Sequence, residues 1–252
     1  MARYDFRSPR LFLEAPLAKG AAVALEASQA NYLVNVLRLK AGASVLVFNG
    51  RDGEWGAELV AAGKKKAALD IVERRREQTA AGDLHYLFSP LKHARLDYMV
   101  QKAVEMGVSR LAPVIMAHTQ AERVNLGRMR ANAIEAAEQC GVLNIPEIAE
   151  ATKFDSLTRG WKADRLLVFC DEEADARDPV AALSSARGGG LAGPLPVSVL
   201  VGPEGGFAED ERAALLKLPN IVRLALGPRI LRADTAAVAA LTLVQAALGD
   251  WR

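Results

Sequence analysis

Between Val197 and Leu248 the chain twice repeats one arrangement, in which an apolar run ends in a Gly-Pro turn and a helical segment follows. Val197-Ser-Val-Leu-Val201 opens into Gly202-Pro-Glu-Gly-Gly-Phe207, and Ile221-Val-Arg-Leu-Ala-Leu226 opens into Gly227-Pro-Arg-Ile-Leu-Arg-Ala-Asp-Thr235. Continuous apolar runs of this length suit strands of a parallel sheet covered on both faces. Such sheets take ligands just beyond the carboxyl ends of their strands. Glycine lets the main chain turn sharply and approach a ligand closely, and proline stiffens the turn. Two such loops on two strand ends predict a single cleft walled largely by backbone groups.

The loops restrict what that cleft can take. A triphosphate-binding loop follows its glycines with lysine and a hydroxyl residue. Here the first loop carries Glu204 and no lysine, so phosphates would be repelled. A neutral nucleoside with a cationic centre fits better, and S-adenosylmethionine is such a molecule. One Gly-Gly loop alone would equally fit an ordinary tight turn; the pairing and the flanks distinguish this chain.

Val201-Gly-Pro-Glu-Gly-Gly-Phe207 followed by Leu226-Gly-Pro-Arg-Ile-Leu-Arg-Ala-Asp-Thr-Ala236 resembles the RsmE-type ribosomal RNA uracil-N3-methyltransferases, of the SPOUT class of knotted methyltransferases. The resemblance extends through Gln101-Lys-Ala-Val-Glu-Met-Gly-Val108, Glu138-Gln-Cys-Gly141 and Ile145-Pro-Glu-Ile148, and covers most of the chain. It implies a C-terminal SPOUT α/β domain with a mostly parallel sheet and a deep trefoil knot, preceded by a small PUA-like β-barrel that helps hold RNA. It also implies a homodimer packed through the knotted domain. The implied reaction is methylation by S-adenosylmethionine of N3 of a uridine in 16S ribosomal RNA, near the decoding centre of the small ribosomal subunit.

Carried onto this sequence, the resemblance gives each site residue an expected role. Backbone groups of Gly202, Gly206, Leu226 and Gly227 would hold the adenosine, with Val201, Glu204 and Gly205 completing the first loop. Ile230 and Leu231 would supply apolar walls beside Arg232, and Cys170 with Asp171 would line the pocket from another strand end. For catalysis, Arg232 would stabilise negative charge developing on the uracil carbonyls. Asp234 and Glu204 are candidates for the base that removes the N3 proton; Asp234 equally suits a helix N-cap, and Glu204 a brace for its loop. Two departures matter. The family motif has Thr-Glu where this chain has Ala233-Asp234, a carboxylate one methylene shorter. Arginine often follows the family's Glu-Gln-Cys-Gly, where this chain has Val142-Leu-Asn144.

The expected organisation is a β-rich domain over residues 1–76 and a methyltransferase domain over 77–252. Short apolar segments at Leu11–Leu13, Ala22–Leu25, Val45–Phe48, Ala57–Val60 and Ala67–Val72 predict the barrel strands, and Asn49-Gly50 with Asp52-Gly53 predicts a hairpin. A helix over Gln29–Leu37 would put Tyr32, Leu33, Val36 and Leu37 on one face. After a polar connector at Glu77–Asp83, strands and helices alternate, as in α/β domains. The strands fall at Leu84–Phe88, Arg110–Met116 and Arg165–Cys170, with helices at Leu96–Met106 and 128–139; Gly188–Pro194 is an expected surface loop. The final helix, Thr235–Leu248, is apolar nearly all round, which predicts deep insertion or a subunit interface.

Charge is spread unevenly over the 252 residues. Thirteen Lys and Arg against nine Asp and Glu give the first eighty residues +4, although the whole chain carries only +2. Arg3, Arg7, Arg10, Arg38 and Lys40, with the runs Lys64–Lys66 and Arg74–Arg76, are candidate phosphate contacts; Lys92 and Lys102 join them from the next domain. Lys102 also stands at i,i+3 spacing from Glu105, where an ion pair forms readily. Two cysteines and three scattered histidines (His85, His93, His118) lack ligand spacing, so no metal is expected. No run reaches the length of a membrane span and Met1–Arg7 lacks a secretory pattern, so a cytoplasmic location is expected. Two alternatives stay open: a non-catalytic RNA-binding ribosome assembly factor, and a ribose 2′-O-methyltransferase of the same class.

Overall fold

A computed structural model describes residues 8–62, 66–92, 94–121, 123–174, 178–186 and 195–251. Arg3, Arg7, Lys64, Lys65, His93 and the 188–194 loop lie outside the described residues. The chain divides into two units, one of residues 1–80 with 137–145 and one of 81–136 with 146–252.

In the first unit, strands β1 (Arg10–Phe12), β2 (Ala22–Ala24), β3 (Ser44–Phe48), β4 (Glu54–Ala62) and β5 (Lys66–Arg76) form a five-stranded sheet in the order β1-β3-β4-β5-β2. β1 runs parallel to β3; the remaining pairs are antiparallel. Period-two alternation sends Val45, Val47, Ala57, Leu59, Leu69 and Ile71 into one core. Asn49 closes the β3–β4 hairpin, its side-chain oxygen accepting from the amides of Arg51 and Asp52 at 3.1 and 2.9 Å. Gly53, at φ 83°, has no room for a side chain, since a Cβ there would lie 2.4 Å from the Arg76 carbonyl oxygen.

Two expectations for this unit need correcting. The helix is α-helical only over Ala27–Asn31 (α1) and continues as a π-helical turn over Tyr32–Val36, where the Leu37 amide donates to the Tyr32 carbonyl. The wider π turn breaks the expected face: Leu33 is buried, but Val36 is 60% exposed. Arg10, expected to meet RNA, is only 6% exposed. Its guanidinium donates to Glu54 at 2.7 Å and to the Ala137 carbonyl at 2.6 Å, so it ties β1 to residues 137–138 and is closed to a phosphate. Arg76 joins the same Glu54 at 2.6 Å, and Arg74 and Arg75 pair with Glu77 and Glu73. Glu138 of the Glu-Gln-Cys-Gly motif accepts from the Phe12 amide at 2.8 Å, a structural use of that residue.

The second unit alternates as expected: β6 (Leu84–Phe88), α2 (Ala94–Glu105), β7 (Arg110–Ile115), α3 (Leu126–Cys140, its last turn grouping with the first unit), β8 (Glu147–Ile148), β9 (Thr152–Lys153), α4 (Phe154–Arg159), β10 (Leu166–Cys170), α5 (Pro179–Ala186), β11 (Val197–Val201), α6 (Glu209–Leu216), β12 (Ile221–Leu224) and α7 (Ala233–Ala247). The strands form a seven-stranded sheet ordered β12-β10-β11-β6-β7-β8, with β9 also pairing β7, and each pairing is parallel. β11 lies between β10 and β6 and is buried at all of its residues. β12 is an edge strand with one neighbour, so it is half-buried where the apolar run predicted full cover. Parallel pairing brings the carboxyl ends of β10, β11 and β12 to one edge of the sheet.

α7 packs on α2, α5 and β11. It buries Ala236, Ala237, Ala240, Leu241 and Val244, while Val238, Ala239 and Leu243 on its other side stay half-buried. Gln245, 4% exposed, donates to the Met106 carbonyl at 2.6 Å and so caps the end of α2. Among the described residues, no helix is long and apolar enough to cross a membrane.

Candidate cofactor cleft

A cleft of about 250 Å³ opens where these strand ends meet. One wall is the main chain from Val201 to Phe207. The facing wall is Ile230, Leu231, Ala233 and Ala236, and Cys170 with Glu172 closes the side. The structure thus brings together Cys170, Val201, Gly202, Glu204, Gly205, Gly206, Ile230 and Leu231 from the expected set. Leu226 and Gly227 stand back from the lining, because β12 ends at Leu224 and the chain needs several residues to return over the cleft. Gly227 is exposed with φ 93° and provides that turn. Arg232 is exposed at the N-cap position of α7, outside the lining, and Asp234 sits one residue inside the helix. Asp234 is therefore not the N-cap; it lies in the first turn, where a carboxylate complements the helix dipole.

Asp171 needs correction as a cofactor residue. It is 1% exposed and absent from the lining, with its carboxylate held by Arg223 at 2.8 Å and Arg212 at 3.3 Å. Arg212 also pairs with Glu173. β10 ends at Cys170 and the chain turns at once, the Ala174 amide donating to the Asp171 carbonyl at 3.2 Å; Cys170 and Glu172 line the cleft, and the Asp171 carboxylate is held by the arginines. Burial of the Cys170 thiol, with a further contribution from the Asp171 charge, pushes its pKa up to about 12. It is a neutral wall, not a nucleophile.

The glycine loop is shaped by its neighbours. Gly206 has φ 75°, and a Cβ there would lie 2.9 Å from Glu172 Oε1. A Cβ on Gly202 would come within 3.0 Å of the Phe207 ring, which in turn packs edge-on against Phe169 of β10. His118, exposed on the turn after β7, places Nδ1 3.1 Å from the Gly206 carbonyl oxygen and packs its Cβ beside Gly205. Glu204 is braced by Arg95 at 3.7 Å. Glu172, Phe207 and His118 were missed by sequence reasoning. The acidic run after Cys170 was a usable signal for Glu172, whereas His118 carries no local pattern.

Of the remaining expected RNA contacts, Arg38 and Lys40 are exposed on the first unit, and Arg38 takes φ 55°. Lys92 is exposed just after β6. Lys102 is committed to Glu105, with two contacts of 2.7 and 2.8 Å, and lies over the Tyr98 ring. Among the described residues, no group of His, Cys, Asp and Glu has the arrangement of a metal site.

A parallel sheet with a glycine-walled cleft at its carboxyl edge defines a nucleoside-binding α/β domain. Its sequence matches the family of RNA methyltransferase domains over residues 77–245, and residues 25–72 match the RNA methyltransferase PUA domain. The chain belongs to this RNA methyltransferase family. Its relatives include the ribosomal RNA small subunit methyltransferase E of Rickettsia conorii, 28% identical over 94% of either chain. That of Buchnera aphidicola from Acyrthosiphon pisum is also 28% identical, over 97% of this chain and 95% of its own. A Legionella pneumophila methyltransferase, solved with the cofactor SAM bound, has a TM-score of 0.80 at 27% identity, covering 96% of this chain and 98% of that one. The Neisseria gonorrhoeae ribosomal RNA small subunit methyltransferase E, solved with S-adenosyl methionine, shares the fold at TM-score 0.83 and 24% identity, over 98% and 100% of the two chains.

Proposed function

We propose that this protein methylates N3 of a uridine in 16S ribosomal RNA, with S-adenosylmethionine as methyl donor and the small ribosomal subunit as partner. The observation that carries the reading is the cleft itself, in a chain of the RNA methyltransferase family: the loops that follow β11 and β12, the strands on either side of β10, both line it. Its residues fit the donor. Main chain unobstructed by side chains at Gly202, Gly205 and Gly206 can follow a nucleoside closely, Ile230 and Leu231 offer apolar surface to an adenine, and Glu172 with Glu204 favours a cation.

S-adenosylmethionine supplies a methyl group already made electrophilic by its sulfonium. The protein's contribution is therefore mainly orientation. Uracil N3 carries a proton at neutral pH, and its loss puts negative charge on the flanking carbonyls. Arg232, exposed at the start of α7 beside Leu231 of the cleft wall, stabilises that charge. Asp234 and Glu204 are the candidate bases for that proton, and of these two Glu204 lines the cleft. Arg38 and Lys40 supply phosphate contacts from the first unit. The half-open side of α7 is the surface through which two copies pair, and the chain segment from β12 to α7 carries the trefoil knot. Ribosomal RNA as substrate implies a cytoplasmic location.

The test is mass spectrometry of 16S ribosomal RNA from a strain lacking the gene. Loss of one N3-methyluridine, restored by the wild-type gene, is the expected result. An unchanged nucleoside profile, or loss of a ribose-methylated residue instead, overturns the proposal. For Arg232, Arg232→Ala is expected to lower single-turnover methylation by about 10²-fold or more, the scale of one lost charge-stabilising group, with donor affinity changed far less. Equal losses in both would rule out the assigned role.

A further inference from the structure

A second and larger depression, about 740 Å³, lies on the other side of the turn that braces the glycine loop. Its floor is apolar, with Leu91 and Met129 at 3% and 1% exposure and Leu96 beside them. Its rim is polar and basic, carrying Lys92, Gln120, Arg123 and Asn125. Arg128 also lines it, but Asp97 holds that guanidinium through two contacts of 2.8 and 2.5 Å, which cancels its charge. Lys92 and Arg123 are both exposed, and among the described residues neither is in an ion pair. Among the described residues they give the rim its positive charge.

The groove and the cofactor cleft share a wall. In the turn after β7, His118 touches Gly205 and Gly206 of the cleft, while its neighbours Thr119 and Gln120 line the groove. Thr119 Oγ1 lies 2.9 Å from Ser89 Oγ and accepts from the Met116 amide at 2.8 Å, which fixes the turn. The Arg95–Glu204 pair spans the same divide, because Arg95 precedes Leu96 of the groove and Glu204 lines the cleft. A chain leaving the cleft therefore needs to cross only one turn of backbone to enter the groove. An apolar floor under a cationic rim suits a nucleotide, with its base on the floor and its phosphate at the rim, and the volume falls within the usual range for small-molecule sites.

Resting on the function proposed above, we infer that this groove seats a nucleotide of the substrate RNA adjoining the methylated uridine, with Lys92 and Arg123 on its phosphodiester. RNA is favoured over a protein partner because two cations with no ion-pair partner among the described residues sit beside the cofactor cleft, where a substrate strand must pass. The experiment compares wild type with Lys92→Gln/Arg123→Gln, and with Lys162→Gln/Lys217→Gln as a distant control of equal charge change. Filter binding to a 16S ribosomal RNA transcript across a salt series is read alongside donor affinity and thermal melting.

The groove variant is expected to weaken RNA binding at least ten-fold near 0.15 M salt. The slope of log affinity against log salt should fall by about 0.7, the value for one neutralised phosphate on a single strand. Donor affinity and melting should hold, the control should bind as wild type does, and Lys92→Arg/Arg123→Lys should recover most of the binding. Wild-type affinity and slope in the groove variant, or an equal loss in the control, overturns the inference. Because RNA binding is read separately from methylation, wild-type protein that binds RNA through the groove but transfers no methyl group contradicts the functional proposal and leaves only the groove's RNA contact standing.

Discussion

At the scale of single residues, the environment of each titratable group sets its use. Cys170 lines the cleft with a pKa raised to about 12 by burial, so its thiolate is scarce at pH 8. Iodoacetamide at that pH should label exposed Cys140 and spare Cys170 until the protein unfolds, as peptide mass spectrometry would show. Rapid labelling of native Cys170 would mean that its surroundings are more open. Asp52 shows the opposite shift: hydrogen bonds from the Leu17 amide and the Asn49 side chain hold its pKa below the ordinary carboxylate value. A depressed folded-state pKa adds stability that is present above about pH 4, the unfolded value, and is lost as pH falls through the folded one. The stability gap between wild type and Asp52→Asn, followed by urea unfolding, should therefore be widest above pH 4 and shrink in more acid solution. A gap that is constant with pH would rule out the titration as its source.

At the scale of elements, the carboxyl edge of the sheet is fastened by one buried carboxylate. Asp171, directly after β10, holds Arg223 of β12 and Arg212 of α6. Removing one partner of a buried ion pair typically costs about 3–5 kcal/mol, because the remaining charges are left uncompensated. Asp171→Ala should lose about that much in chemical denaturation; a loss below about 1 kcal/mol would show that the arginines find solvent. This carboxylate also marks where the sequence was legible and where it was not. The apolar runs Leu84–Phe88 and Val197–Val201 give β6 and β11 to the residue, since period and composition are local properties. The glycine loops likewise place half of the cleft. Which side of a strand end Asp171 and Glu172 each face depends on register with β12 and on a distant arginine, and neither is written near them. Arg10 was misread for the same reason, because its partners Glu54 and Ala137 are remote in sequence. The π turn at Tyr32–Val36 left no mark in the apolar pattern.

At the scale of the whole molecule, the half-buried side of α7, with Val238, Ala239 and Leu243, is the proposed pairing surface. Sedimentation equilibrium should give twice the chain mass of 27.0 kDa, and Val238→Glu/Leu243→Glu on that side should shift the mass toward one copy. Dimers unaffected by the substitutions would place the interface elsewhere. The central claim concerns the cleft, and calorimetric titration of S-adenosylmethionine into wild type and Gly206→Ala tests it most directly. At φ 75° and with Glu172 2.9 Å from the new Cβ, alanine costs about 1–2 kcal/mol in backbone conformation alone and displaces the cleft wall. The account predicts one donor bound per wild-type chain and affinity at least ten-fold weaker in the variant. No binding to the wild type, or equal binding to both, would contradict it.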